Sequence, residues 1–277
     1  MALVRSIQPL MKAKLFRLIY TSDPLCSFCW AIEPQITKLL FNYGHLIDFE
    51  YRMGGLLESD RFYETQAQLK ESLESIHQRF MMPIELDYPL LHWASHSLLA
   101  CQLYLLVKED DAQRARHLLR KLREAQMLFN QDISSLTVLR KVLEQEKIDS
   151  NYVELLETEV AKRLLYQDFG INRVLKADLY PTLTLINELG EGLKLEGFQT
   201  FETIENHLQQ LSKQPLQKQE LPTLTDYLKL QDLILFEEIA IVYDLELKQV
   251  ANFINTNKPE NSIISGTNSI KYLKRAA

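Results

Sequence analysis

The chain has 277 residues, 46% of them apolar and 25% charged, with a formal net charge of −6. That is enough chain for one large domain or a domain with an appendage. The acidic balance excludes a nucleic-acid footprint, because phosphate binding needs a surplus of Lys and Arg. No run approaches the roughly 18 apolar residues of a membrane span. Arg5, Gln8, Pro9, Lys12, Lys14 and Arg17 interrupt every stretch that could serve as the core of a signal sequence. The expectation is a cytosolic protein with no membrane partner.

Residues 15–22 (LFRLIYTS) read as a short buried strand, closed by Asp23-Pro24. Helical periodicity begins near Cys26 and continues through Trp30, Ile32, Ile36, Leu39 and Leu40. A second strand is expected at 46–53, after the turn at Tyr43-Gly44 and before Gly54-Gly55. This is a βαβ unit, whose crossover is right-handed by rule. Helices are then expected at 62–80, 91–107, 112–129, 135–146 and 150–166, with a short one near 171–177. Asp132, Ser134, Asp149 and Ser150 are candidate N-caps. Tyr180-Pro181 leads into a strand at 182–187, a turn at Glu188 to Gly192, a strand at 193–196 and a helix at 200–211. The order βαβ, helices, ββα describes a thioredoxin fold with an all-helical insertion.

The organisation follows from this order. Residues 1–58 and 178–211 form the thioredoxin-fold domain, and 59–177 the helical insertion. Residues 212–222 (SKQPLQKQELP) read as a linker, and 223–277 as a C-terminal extension with the pattern of a small helical or winged-helix module. The extension carries six Lys/Arg and seven Asp/Glu, a poor composition for reading DNA. Contact with another protein, or simple capping of the core, suits it better.

Three cysteines, Cys26, Cys29 and Cys101, are too few and too odd in number for a disulfide framework. Cys26-Ser27-Phe28-Cys29 is a C-x-x-C at a strand-to-helix turn. A thiol attacks disulfides as the thiolate, and a helix N-terminus favours that anion. Cys26 is the expected attacking sulfur. Cys29, one turn on, would resolve the mixed disulfide by intramolecular attack. The same pair could instead be half of a zinc site, with His92 and His96 at i, i+4 as further ligands. The strand–CxxC–helix context favours thiol chemistry without metal or cofactor.

Glu33, a turn beyond Cys29, could shuttle protons or tune the thiols, although such a residue more often faces solvent. No acid lies in the preceding strand, so the proton acceptor for Cys29 stays open. Cys101 and Trp30 read as core residues.

SDPLCSFCW followed by AIEPQITKL resembles the active-site segment of cytosolic DsbA-family proteins of the dithiol-disulfide isomerase group. YPTLTLIN is similar to that family's cis-proline strand. The resemblance covers residues 15–211. It implies a cis Pro181 beside the cysteines, shielding the sulfurs, and a Tyr180 backbone able to pair with substrate. Ser27 and Phe28 then join Tyr180 as substrate-contacting residues, with Cys26, Cys29 and Pro181 at the reacting centre. A narrower likeness is to SpxH-type adaptors, which present Spx to the ClpXP protease. It rests on DPLCSFCWAIEPQ, NYGHLIDFEYRMGG, ARHLLRKLREAQMLFNQDIS and the extension.

Two functions follow. The residues themselves put first a thiol:disulfide oxidoreductase acting on protein or low-molecular-weight disulfides. In the cytosol it would rest reduced and act as reductase, isomerase or redox sensor. The adaptor, with Spx and ClpXP as partners and thiol chemistry secondary or regulatory, follows from the family likeness.

Overall fold

Strand β1 (Phe16–Ser22), helix α1 (Ser27–Tyr43) and strand β2 (Ile47–Met53) form the opening βαβ unit. They belong to a computed structural model that describes residues 14–57, 65–86, 93–257, 259, 261–266 and 270–276. β1 lies parallel to β2, with Phe16 opposite Ile47 and Ser22 opposite Met53. Strands β3 (Thr182–Asn187) and β4 (Gly192–Glu196) complete an antiparallel half, giving the order β2-β1-β3-β4. β1 is central and buried at six of its seven positions, Arg17 excepted, so it reads as a run of Leu, Ile and Tyr and not as an alternation. α1 packs its Trp30, Ile32, Ile36 and Leu39 into the core; each is at most 1% exposed. Burying one such aliphatic side chain is worth roughly 1.5–3 kcal/mol.

Between β2 and β3 the chain builds helices α2 (Gln66–Phe80), α3 (Leu98–Asp110), α4 (Ala112–Met127), α5 (Leu136–Gln145) and α6 (Glu159–Leu175). α6 is fastened over the ends of β1 and β2. Asp168 accepts from the Met53 N–H at 2.7 Å and from Arg52 at 2.8 Å, while Asn172 donates to Met53 O at 2.9 Å and accepts from Thr21.

Several expected boundaries move. The helix expected at 150–166 is a 3-10 turn over Ser150–Leu155, capped by Asp149. After a break at Thr158, α6 absorbs the separate helix expected near 171–177. Thr158 caps α6 through its hydroxyl, a signal hidden inside a stretch of continuous apolar periodicity. α3 starts at Leu98 and not at 91, because Ser97 pairs with Leu56 O through its N–H at 2.9 Å. The first residues of the helices expected at 62–80 and 91–107, together with His92, lie outside the described residues. Ser134 is not an N-cap: Ser135 holds that position for α5, and Asp132 instead accepts from the Ser134 N–H.

After helix α7 (Phe201–Leu211), residues 212–222 carry no regular element. They are still held, with the Gln219 N–H on Asn42 O and Lys218 paired to Glu205. The extension runs α8 (Leu224–Leu230), β5 (Leu233–Leu235), α9 (Phe236–Val242), α10 (Leu247–Asn257), β6 (Ser262–Gly266) and β7 (Lys271–Arg275). Its antiparallel sheet has the order β5-β7-β6. Helix, strand, two helices and two strands is the element order of a winged helix. The unit has its own core around Tyr227, Ile234, Ile239 and Val250, while Leu233, Leu235 and Ile270 join the main core.

The two halves are joined by buried charge. Arg120 of α4 donates through both terminal nitrogens to Glu238 of α9, at 2.6 and 2.9 Å, and through Nε to Glu124. Lys38 of α1 pairs with Asp244 after α9. Among the described residues no helix is long and apolar enough to cross a membrane.

Candidate active site

The turn between β1 and α1 is organised by Asp23, which is fully buried. Its Oδ1 accepts the Leu25 N–H at 2.8 Å. Its Oδ2 accepts from Gly55 N at 2.8 Å, Leu56 N at 3.0 Å and Ser97 Oγ at 2.6 Å. One carboxylate thus ties the active-site turn, the exit of β2 and the start of α3 into a single unit. Cys101 is core, as expected, but it also touches this centre, with Sγ 3.6 Å from Asp23 Oδ2. Burial and the Asp23 charge push its thiol well up.

Cys26 is the N-cap of α1, and its Sγ accepts from the Cys29 N–H at 3.2 Å. This is the arrangement anticipated from the CxxC spacing. All three cysteines are free thiols. Cys26 retains 8% exposure while Cys29 has none, so Cys26 is the sulfur an incoming molecule meets. Phe28 is exposed and Ser27 half-buried beside it. The Tyr180–Pro181 peptide is cis. Tyr180 O accepts from Cys26 Sγ at 3.6 Å, and the Tyr180 hydroxyl donates to Gly54 O at 3.2 Å. A Cβ at Gly54 would lie 2.6 Å from the Tyr180 ring, so the close approach of these two segments requires glycine there. Cys26, Cys29, Tyr180 and Pro181 are therefore brought together, with Ser27 and Phe28 on the rim.

The electrostatics divide the pair. Burial pushes the Cys26 thiol well up, and its bond to Cys29 and the nearby Asp23 charge add to this. Burial opposes the Cys29 thiolate too. The Cys26 thiol, the Arg123 guanidinium and the Ser22 hydroxyl outweigh it and hold Cys29 below the ordinary thiol value. Loss of a proton from Cys26 leaves a thiolate at the helix N-terminus, where the unpaired N–H groups of α1 favour it.

Of the two readings that the sequence leaves open for Glu33, the structure removes the solvated helix face. Glu33 is 8% exposed and bonded to Arg123 Nη1 at 2.6 Å, and Tyr51 donates to it at 3.3 Å. Arg123 comes from α4 in the insertion and is fully buried; its Nη2 donates to Ser22 Oγ at 2.5 Å. Sequence reasoning missed Arg123 because it lies 94 positions from Cys29 in the chain. The available signal was a charged residue on the apolar face of α4, between Leu119 and Met127, that no amphipathic pattern explains.

His96 is on the loop before α3, off any helix face, with a buried Nδ1 that has no hydrogen-bond partner. Among the described residues, the metal-capable cluster is His117, Glu146 and Asp232, which includes neither cysteine. Lys121 and Arg275 already reach Asp232 there.

A strand, a capped CxxC helix, a cis-proline strand and a helical insertion define a DsbA-like thioredoxin-fold dithiol protein. The chain belongs to the thioredoxin family, whose model, described as Thioredoxin, matches residues 20–206. It is 30% identical over 234 residues to the ClpXP adapter protein SpxH of Bacillus licheniformis, covering 82% of this chain and 77% of the relative. It is 27% identical over 271 residues to SpxH of Halalkalibacterium halodurans, covering 92% and 89%. Among solved structures, the cytosolic disulfide reductase DsbM of Pseudomonas aeruginosa superposes with a TM-score of 0.55 at 20% identity, over 70% of this chain and 99% of that one. This last likeness shows the fold.

Proposed function

We propose that this chain is an adaptor of the SpxH type, which binds a client such as Spx and presents it to the ClpXP protease. The observation that carries the reading is the welded C-terminal unit. The fold shared with the reductase accounts for about 70% of the chain, whereas the Halalkalibacterium adaptor aligns over 92% of it, extension included. The Arg120–Glu238 pair fixes that extension against α4, so a client could meet core and extension together. This reverses the order that the CxxC motif alone suggests. Such a role places the chain in the cytosol. The test is Spx degradation by purified ClpXP with and without this protein. Acceleration that survives Cys26→Ser supports the adaptor; no acceleration removes it.

The site geometry favours a second activity in the same molecule. Cys26 sits at a helix N-terminus against the Tyr180 carbonyl, with Cys29 held below the ordinary thiol value, and this supports thiol–disulfide exchange on protein or small disulfides. Cys26 would attack, Cys29 resolve, Pro181 shield the sulfurs, and Tyr180, Ser27 and Phe28 contact the substrate. Insulin reduction by wild type and by Cys26→Ser decides it: turnover lost in the variant supports exchange, and absence of turnover in wild type leaves the dithiol a regulatory or structural element.

A further inference from the structure

A groove of about 500 Å³ lies where α1, the end of α2, the start of α7 and α9 with its following loop converge. Its lining is apolar at Met81, Ile241 and Leu247 and acidic at Glu202, Glu237 and Glu246. The basic residue on its wall, Lys38, is already engaged by Asp244. Glu246 is paired with Lys248 at 2.6 Å, so Glu202 and Glu237 give the groove its excess of negative charge. Glu237 is the decisive group: it is only 9% exposed, and its Oε2 is buried with no hydrogen-bond partner. A carboxylate oxygen that has lost its water without gaining a donor is costly, and an incoming cation with N–H donors would relieve Oε2.

The groove also leads to the dithiol. Met81 follows Phe80, whose ring stacks on Phe198 at 4.1 Å and meets Phe28 of the CxxC edge-on at 5.6 Å. An aromatic shelf thus runs from the rim of the dithiol to the mouth of the groove. The far wall belongs to α9, in the extension.

We propose that this groove docks a client polypeptide that places an arginine or lysine side chain against Glu237 and its flanking apolar side chains on Met81, Ile241 and Leu247. That the docked polypeptide is a degradation client rests on the adaptor reading; the chemistry of the groove does not. The planar guanidinium suits a carboxylate better than an ammonium, so arginine is the preferred residue. A client seated there reaches the Phe28 rim with its neighbouring segment, so one chain engages the groove and the dithiol together.

The experiment is fluorescence anisotropy with the full chain, its thiols alkylated. The probes are a labelled short peptide of Ala, Leu and Ser with one central Arg, and its citrulline counterpart, which keeps the shape without the charge. The arginine peptide should bind roughly tenfold tighter, and Glu237→Gln should bring the two to parity. Ile241→Arg, which fills the groove with a guanidinium of its own, should weaken the arginine peptide to a similar degree. Equal binding of both peptides to wild type, a preference that persists in Glu237→Gln, or full binding by Ile241→Arg would each overturn the proposal. Arginine preference with no effect on Spx degradation leaves the groove standing and removes the adaptor. Degradation activity without arginine preference does the reverse.

Discussion

Arg123 and Glu33 meet at 2.6 Å beside Cys29, one carried by the helical insertion and the other by the CxxC helix. The guanidinium reaches Ser22 at the end of β1 as well, so the insertion supplies the positive charge that the resolving cysteine feels. The thioredoxin core alone would leave Glu33 with only the Tyr51 hydroxyl as a donor.

Replacing Arg123 with Met removes a charge that favours the Cys29 thiolate. Cys29 has a lowered pKa in the wild type, so the first thiol ionisation of the pair moves to higher pH in the variant. Thiolate absorbance titration of the reduced protein reads this directly. The same substitution strands Glu33 and should cost about 3–5 kcal/mol in urea unfolding. Adding Glu33→Gln should recover a substantial part of the stability and none of the thiol shift. Recovery of both would mean that Glu33, and not the guanidinium, governs the cysteine.

Accessibility separates the three thiols, which makes labelling informative. Iodoacetamide added to the native reduced protein should modify Cys26 first, because Cys29 and Cys101 have no exposed surface. Cys101 should react only after unfolding. Peptide mapping by mass spectrometry follows each site, and early modification of Cys101 would show that the Asp23 centre opens readily.

Asp23 tests whether the site and the insertion fold as one. Its two oxygens receive four N–H or O–H donors from three chain segments. Asp23→Asn keeps the size but replaces one acceptor oxygen with a donor, which then faces N–H groups on whichever side it takes. Loss of about 1–3 kcal/mol is expected from the donors left unsatisfied. Chemical denaturation measures it, and a neutral Asp23→Asn would mean that water replaces the lost acceptor.

How far the sequence foretold this site depends on how local each interaction is. The strand, the CxxC and its helix follow one another directly over residues 16–43, and Pro181 is marked by its place ahead of a β run; these were legible. Arg123, Ser97 and Cys101 were not, because nothing in the sequence says that α3 and α4 return to touch Asp23 and Glu33. Glu33 was left between two readings for the same reason: a glutamate on a helix is assigned to solvent unless its partner is known. The boundaries of α3 and α6 slipped where side-chain caps or tertiary pairing, at Ser97 and Thr158, overrode a continuous apolar pattern.

The weld between core and extension should be breakable at one residue. Glu238→Leu leaves Arg120 buried between Trp30, whose ring it covers at 4.6 Å, and a single carboxylate, Glu124. The expected cost is about 3–5 kcal/mol, concentrated at the contact between α4 and α9. Limited proteolysis should then cut within residues 212–222 faster than in wild type. Unchanged cleavage would show that Leu233, Leu235 and Ile270, which pack into the main core, hold the extension without the ion pair.

Glu237 gives the protein a pH-dependent stability whose sign is fixed by its environment. Burial raises its pKa from an ordinary 4.5 to about 7, with the Glu238 charge adding to the effect. Between those values the folded state binds more protons at this group than the unfolded state does. Stability therefore falls as pH rises from about 4.5 to about 7 and levels beyond it. Glu237→Gln abolishes this contribution. The variant should match wild type near pH 4 and exceed it at pH 8 by at most roughly 3 kcal/mol, less to the extent that water reaches the carboxylate. Urea unfolding of both proteins at the two pH values is the measurement. A difference that does not change with pH would mean that Glu237 is charged throughout, and that its buried oxygen has found a partner within the protein.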